Sequence, residues 1–204
     1  MTEPMMPFGG AQRVPSAKLD LYIRRNFLSA EECAAVIAMI DARRRPSTIA
    51  DDMGDPLFRT SETCDLDMAD PLTKTIDQRI ADFLALGLIV GEPMQGQRYA
   101  PGQEFKLHTD YFEPNGADYQ AHCGVSGQRT WTAMIYLNEP EAGGATRFKV
   151  IDKIVRPENG KMLCWNNQLA NGQPNGATLH QGMKVRKGVK YVITKWFRER
   201  PWSQ

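Results

Sequence analysis

The second half of the chain consists of short segments of β-branched and aromatic residues, and this pattern limits the possible folds most strongly. From about residue 88 onward, Gly, Pro and Asn interrupt the sequence at short intervals. Segments of this length are typical of strands and too short for most helices. The pattern predicts strands over residues 94–99, 105–110, 130–137, 146–150, 161–165, 177–181 and 189–197. Several short strands at such spacing indicate a sandwich or barrel.

The first half carries two amphipathic helix patterns. Ser29 and Glu32 have the spacing of a capping box, and apolar residues follow at helical intervals until about residue 43. Asp70 and Pro71 predict the start of a second helix, which we expect Gly87 to end. We expect both helices to pack outside the β-rich half. Residues 1–18 are rich in Met, Pro and Gly and lack periodicity, so they predict a flexible arm.

Composition argues against several classes of partner. The 204 residues include 25 Lys and Arg against 24 Asp and Glu, a net charge of +1, which provides no general attraction for nucleic acid or an anionic membrane. The sequence has neither a signal-peptide pattern nor a long apolar run, so we expect a cytoplasmic protein without a membrane partner. The four cysteines are scattered and predict reduced structural thiols, not a zinc site.

Three histidines are the candidates for metal chemistry. His108 and Asp110 are two positions apart, so in a strand both side chains point to the same face. Because 24 of the 204 residues are acidic, a histidine often lies two positions from an acidic residue by chance. This spacing alone therefore favours a chance match over a metal site. His180 lies 70 positions further on, and two histidines with one carboxylate form the facial triad of non-haem iron(II) oxygenases. His122 falls in residues 113–128, which predict a mobile loop able to close over a substrate.

The strand predicted over residues 189–197 places a lysine on an otherwise mostly apolar face. Lys190 shares that face with Val192, Thr194 and Trp196. A buried ammonium is costly unless an anion meets it, so a dicarboxylate ligand would explain the pattern. The alternative is a solvent-exposed face on which Lys190 lies at the end of an edge strand.

Taken in order, these motifs resemble a known family. The segments HTD, GGATRF, LHQG and GVKYVITKW resemble the catalytic domain of prolyl 4-hydroxylases among the 2-oxoglutarate- and iron(II)-dependent oxygenases. The resemblance extends upstream to FLSAEEC, FRTSE and QRYAPGQEFKLHTD, and so covers about residues 19–202. It implies an α+β, mainly β fold with a double-stranded β-helix (jelly-roll) core over residues 91–204. Helices in residues 19–90 would support this core within a single domain, 19–204.

The resemblance also implies roles for individual residues. His108, Asp110 and His180 match the iron ligands, and Lys190 matches the residue that pairs with the distal carboxylate of 2-oxoglutarate. Four further positions match the family's peptide groove, and three more match the surroundings of 2-oxoglutarate. The groove positions are Arg59, Ser61, Glu92 and Arg129, and the cosubstrate positions are Tyr99, Thr146 and Trp196. Ordinary packing of a core tyrosine, a strand-edge threonine and a tryptophan is the alternative for the last three.

The activity implied is hydroxylation of an unactivated C–H bond, with a prolyl residue of a peptide or protein as substrate. The enzyme would bind Fe(II) as cofactor and consume 2-oxoglutarate and O₂, with ascorbate as reductant. Two departures weaken the prolyl assignment: Phe105 stands where the family has a tyrosine, and Asn166 interrupts an aromatic WYN segment. Hydroxylation of a free amino or imino acid or another small molecule therefore stays open, as do a cupin-like metal enzyme that is not an oxygenase and a ligand-binding sensor.

Overall fold

The computed structural model describes residues 7–47, 57–116 and 119–202. Within these residues the helices are α1 (Ala30–Arg43), α2 (Pro71–Leu84) and the short α3 (Tyr119–Cys123), with 3₁₀ turns at Leu88–Val90 and Gly176–Thr178. The strands are β1 Gln12–Arg13, β2 Leu21–Arg24, β3 Arg45–Pro46, β4 Glu62–Asp65, β5 Gln95–Tyr99, β6 Phe105–His108, β7 Arg129–Tyr136, β8 Ala142–Gly143, β9 Thr146–Phe148, β10 Lys153–Val155, β11 Met162–Asn166, β12 His180–Gly182, β13 Val185–Lys187 and β14 Lys190–Arg198.

Antiparallel pairing joins these strands into a large sheet, a small sheet and a two-stranded ribbon of β8 and β13. The large sheet has the order β1-β2-β11-β7-β14-β5-β4-β3, and the small sheet has the order β10-β9-β12-β6. One apolar core lies between them, where Phe148 of the small sheet contacts Trp165 of the large sheet with ring centroids 5.2 Å apart. This sandwich of two sheets is the predicted jelly-roll core.

A second apolar core lies between the large sheet and the two longer helices. Ile40 of α1 and Ile80 of α2 are fully buried there with Ile193 of β14. Gly96 of β5 permits the close approach of α1, because a Cβ at this position would lie 2.3 Å from Cγ1 of Ile40. The helices thus cover the face of the sheet that points away from the small sheet.

Local sequence patterns predict the helix starts correctly. Ser29 and Glu32 form the capping box reciprocally, and Asp70 caps α2 with Pro71 at its first position. Helix α2 ends earlier than expected, at Leu84, because Ala85 adopts a left-handed conformation. The helix is therefore over before Gly87. No helix in the described ranges is long and apolar enough to cross a membrane.

Residues 7–18, which belong to the arm predicted to be flexible, contact the rest of the fold. Strand β1 pairs with β2, and the Phe8 ring stacks on Tyr22 with centroids 4.2 Å apart. Phe8 also contacts Phe83 and Trp131. A single aromatic anchor and a two-residue strand fix this segment, although neither creates a periodic pattern. Residues 1–6 of the predicted arm lie outside the described residues.

Candidate active site

Strand register assembles the candidate metal site. Strands β6 and β12 pair so that His108 lies directly opposite His180, with ring centroids 4.2 Å apart. Asp110 follows β6, and its Oδ1 lies 3.9 Å from Nε2 of His108. One potential ligand atom from each of the three residues lies within 4.8 Å of the others. The structure therefore brings together the triad predicted from the sequence.

Backbone carbonyls fix the protonation pattern of both histidines. Nδ1 of His108 lies 2.7 Å from the carbonyl oxygen of Lys106, and Nδ1 of His180 lies 2.8 Å from that of Thr178. Because a carbonyl oxygen can only accept, Nδ1 carries the proton in each ring. In the neutral form of each ring, Nε2 is therefore the nitrogen that can bind a metal ion.

The surroundings lower the pKa values of two residues of the triad, His108 and Asp110. Burial and the neighbouring His180 lower the pKa of His108 to about 3, so this ring is neutral. Burial raises the pKa of Asp110, but His180, His108 and Arg129 outweigh burial and lower that pKa below its usual value. The site therefore offers two imidazole rings and one carboxylate, which is a donor set that fits Fe(II).

Two buried side chains that the sequence analysis did not identify hold the Asp110 carboxylate. Oγ1 of Thr132 lies 2.7 Å from Oδ2 of Asp110, and Nδ2 of Asn167 lies 2.9 Å from the same Thr132 oxygen. Thr132 is on β7 and Asn167 follows β11, so neither is near the HTD motif in the sequence. The contact between Thr132 and Asn167 follows from the pairing of β7 with β11 and cannot be read from the sequence.

Lys190 is a buried cation in the same cavity as the triad. The residue is 2% exposed, and its ammonium lies 5.0 Å from the ring centre of Tyr99 and 5.4 Å from that of Tyr136. Burial lowers its pKa to about 7. Within the described ranges, no carboxylate forms an ion pair with it, so a ligand anion can fill this role.

The cavity has an empty volume of about 480 Å³, which includes the open space at its mouth. The predicted alternation of β14 is correct, since the cavity lining includes Lys190, Val192, Thr194 and Trp196. Lys195, on the opposite face, pairs with Asp77 at 2.7 Å. The residues of the triad and the cosubstrate positions share the lining, namely His108, Asp110, His180, Lys190, Tyr99, Thr146 and Trp196.

The four predicted substrate positions separate into two pairs. Arg59 lines the cavity, its guanidinium lies 5.0 Å from the ring centre of Phe105, and its Nε donates to Oγ of Ser61 at 3.1 Å. Ser61 itself is buried outside the lining. Glu92 and Arg129 bind each other through two hydrogen bonds of 2.7 and 2.8 Å, also outside the cavity lining. The second pair is therefore not an open part of a groove.

The Glu92–Arg129 pair belongs to a buried ion cluster. Arg198 lies 2.6 Å from the Glu92 carboxylate, and the Arg129 guanidinium lies 4.0 Å from the Trp196 ring centre. Burial raises the pKa of Glu92, but Arg129 and Arg198 outweigh burial and lower it overall. Arg129 also donates to the backbone oxygen of Asp110 at 3.4 Å. The cluster supports the walls of the site.

The loop predicted to be mobile is anchored at several points. The side-chain amide of Gln128 bonds to both the backbone N–H and the carbonyl of Phe112, at 2.9 and 2.7 Å. Arg198 donates to the carbonyl oxygens of His122 and Gly127. The ring of His122 stacks on Phe112 and does not join the metal cluster. Arg198 lies on the distant strand β14, so the local sequence could not reveal this anchor.

Comparisons with known proteins agree with this geometry. The model of the 2OG-Fe(II) oxygenase superfamily matches residues 94–198. "Probable prolyl 4-hydroxylase 3" of Arabidopsis thaliana is 30% identical, covering 86% of this chain and 68% of that protein. Prolyl 4-hydroxylase subunit alpha-1 of Mus musculus is 29% identical over 86% of this chain, and the match spans about a third of its length, 34%.

Solved structures show the same fold. The viral collagen prolyl hydroxylase of Paramecium Bursaria Chlorella virus-1, in its 2OG complex, is 26% identical with a TM-score of 0.69, covering 87% of this chain and 94% of the other. A Pseudomonas putida prolyl-4-hydroxylase is 19% identical with a TM-score of 0.61, covering 88% and 92%. The chain therefore belongs to the 2-oxoglutarate- and Fe(II)-dependent oxygenase superfamily, with a catalytic domain of the prolyl 4-hydroxylase type.

Proposed function

We propose that this chain hydroxylates a prolyl residue within a peptide or protein, using a site in residues 19–204. The observation that carries the proposal is one cavity that contains both the His108, Asp110 and His180 cluster and the buried cation of Lys190. A metal site alone fits several reactions. The added cation without a carboxylate partner in the described part of the chain fits an enzyme that binds a dicarboxylate beside its metal.

His108, Asp110 and His180 would hold Fe(II) through two Nε2 atoms and a carboxylate oxygen. When bound, Fe(II) and 2-oxoglutarate supply the oxidation, in which O₂ places one atom in the C–OH product and one in succinate as CO₂ leaves. Lys190 would donate charge-assisted hydrogen bonds to the distal carboxylate. This anion would favour the protonated lysine, whose pKa burial lowers to about 7.

Two hydroxyl-bearing side chains complete the pocket for that carboxylate. Thr146 is buried in the lining, and its Oγ1 lies 2.6 Å from the hydroxyl of Tyr136. Tyr99 lies opposite Lys190 in the pairing of β5 with β14. We therefore assign Tyr99 and Thr146 to the cosubstrate end of the cavity. Trp196 lines the same cavity, and its buried Nε1–H has no partner among the described residues.

The wall beside the triad supports a proline substrate. The Phe105 ring stacks on His108 with centroids 3.5 Å apart and planes 12° apart, and Phe58 meets Phe105 edge to face. A flat apolar surface next to the metal ligands suits a compact apolar ring such as that of proline. The names of the relatives support the same substrate class.

One observation favours a second candidate, the hydroxylation of a free amino or imino acid. The guanidinium of Arg59 lines the cavity and lies 5.0 Å from the ring centre of Phe105. A guanidinium binds carboxylates in a bidentate manner, so it could hold the α-carboxylate of a small substrate. The two candidates therefore differ in what Arg59 contacts: a peptide carbonyl or a carboxylate.

The experiment compares end-blocked proline peptides with free proline. Purified protein receives Fe(II), 2-oxoglutarate, ascorbate and O₂, and mass spectrometry detects one added oxygen atom while succinate is quantified. We expect hydroxylation of the peptide and none of a peptide with alanine in place of proline. Preference for free proline would replace the peptide proposal by the small-molecule one. Absence of succinate with every substrate would refute the oxygenase assignment.

Two variants test the substrate wall. Arg59→Ala should lower the peptide-stimulated rate more than the rate of 2-oxoglutarate turnover without substrate, whereas Arg156→Ala, at an exposed position, should change neither. Phe105→Tyr should raise the rate with proline peptides, because a phenol can donate a hydrogen bond to the substrate. Equal losses of both rates in Arg59→Ala would contradict a role of Arg59 in substrate binding.

A further inference from the structure

Thr132 and Asn167 form a hydrogen-bonded chain that ends on one oxygen of Asp110. We propose that Thr132, oriented by Asn167, is a positioning residue that restricts Asp110 to a single metal-binding oxygen. The proposal rests on the metal-binding role of Asp110 proposed above. It concerns how many positions the protein leaves open on the ion, a property that decides whether cosubstrate and O₂ can bind together.

The direction of each hydrogen bond follows from chemistry. Oγ1 of Thr132 donates its single hydroxyl proton to Oδ2 of Asp110 at 2.7 Å, and a carboxylate that binds a metal ion can only accept this bond. Thr132 Oγ1 then has only lone pairs left for Asn167. The Asn167 amide must present its NH₂ group, which donates at 2.9 Å. Asn167 thus prevents the hydroxyl from turning away from Asp110.

The surroundings show that this arrangement is held at a cost. Asn167 and Thr132 are both 0% exposed, and Oδ1 of Asn167 is buried without a partner among the described residues. A buried carbonyl without a hydrogen-bond partner destabilises the folded protein. The backbone of Asn167 is fixed on both sides, because its N–H donates to Thr130 and its carbonyl accepts from Asn175. The donor NH₂ is the part of Asn167 that has a function.

The two carboxylate oxygens of Asp110 therefore have different partners. Oδ2 is occupied by Thr132, while Oδ1 faces Nε2 of His108 at 3.9 Å. If the hydroxyl were removed, Oδ2 would be buried beside a methyl group without a partner. An unpaired carboxylate oxygen is costly in such a place, so it would turn to the strongest positive charge nearby, which is the ion.

The experiment counts the water molecules on the bound metal. Mn(II) replaces Fe(II), and water-proton relaxation at saturating Mn(II) reports the exchangeable waters. Three protein donor atoms leave about three positions on a six-coordinate ion, and a second Asp110 oxygen would leave about two. We expect Thr132→Val to bind about one water fewer than the wild type and Thr132→Ser to restore the wild-type number.

Matched variants separate positioning from general destabilisation. Thr130→Val makes the same hydroxyl-to-methyl change on the same strand, at a hydroxyl that donates to the carbonyl of Phe197, and should keep the wild-type count. Asn167→Leu leaves Thr132 in place but frees its hydroxyl, and should lower the count in the same direction. It also provides the test if Thr132→Val does not fold.

The outcomes distinguish this inference from the proposed function. An unchanged water count in both Thr132→Val and Asn167→Leu, each saturated with Mn(II), would overturn the positioning role while the metal site stood. A loss of water in Thr132→Ser as large as in Thr132→Val would also overturn it. Failure of the wild type to bind Mn(II), or binding that Asp110→Ala does not weaken, would instead refute the proposed metal site.

Discussion

The ammonium of Lys190 should destabilise the protein in the absence of 2-oxoglutarate, and Lys190→Met should remove that cost. Burial lowers its pKa from 10.5 to about 7, which at pH below 7 corresponds to about 5 kcal/mol of folding free energy, because each pKa unit is worth about 1.36 kcal/mol. The rings of Tyr99 and Tyr136 return about 1 kcal/mol each by cation–π attraction. The variant should therefore be more stable by about 2–4 kcal/mol at pH 6.

The pH dependence gives the sign of the effect. Between about pH 7 and 10.5 the unfolded chain holds a proton on Lys190 that the folded protein has lost, so folding stability rises with pH in this range. Below pH 7 both states are protonated and the full cost is present. The advantage of Lys190→Met should therefore shrink by about 2 kcal/mol from pH 7 to pH 9. Other groups titrate equally in both proteins and cancel in the difference.

The assay is urea unfolding of wild type and Lys190→Met at pH 6, 7, 8 and 9, with and without 2-oxoglutarate and Mn(II). The cosubstrate should stabilise the wild type. The variant should lose most of that stabilisation, because a buried carboxylate of 2-oxoglutarate without the lysine ammonium binds about 2–5 kcal/mol more weakly. A variant less stable than the wild type at pH 6 without 2-oxoglutarate would refute the burial argument. Equal stabilisation of both proteins by 2-oxoglutarate would place the anion elsewhere.

Three further perturbations have definite expected outcomes. His180→Ala should abolish Mn(II) binding in a calorimetric titration, whereas His122→Ala should bind normally; the reverse result would contradict the triad. Glu92→Gln should lower the free energy of unfolding in urea by about 3–5 kcal/mol, because it leaves buried arginine charges without their carboxylate. Gly96→Ala should lower the same free energy by about 1–3 kcal/mol, since the new methyl group would overlap Ile40, and an unchanged value would show that helix α1 can move away.

Features that depend on local periodicity could be predicted from the sequence. The capping box at Ser29, the proline start of α2 and the alternation along β14 each involve neighbouring residues only. The face assigned to Lys190 was correct for this reason. The metal site could also be predicted, because the segments around His108 and His180 are local patterns that follow each other in the order typical of the family.

Features that depend on register between distant strands could not be predicted. Asn167 meets Thr132 only because β7 and β11 pair in one register out of several that their patterns permit. The contact of Thr132 with Asp110 joins the large sheet to the residues that follow β6 of the small sheet. The mutual pairing of Glu92 with Arg129 likewise needs coordinates, since a sequence shows two charges and not their distance. Phe8 was missed because one aromatic residue produces no period.

The direct pairing of His108 with His180 has a consequence for how this chain can change in evolution. A strand that slips by one residue turns all its side chains to the opposite face, so a single insertion within β6 or β12 would point a histidine away from its partner. The backbone pairing of β6 with β12 thus sets the distance between the two histidine side chains. We therefore expect relatives of this chain to differ in length in the connections between strands more than in the two short strands that carry the histidines.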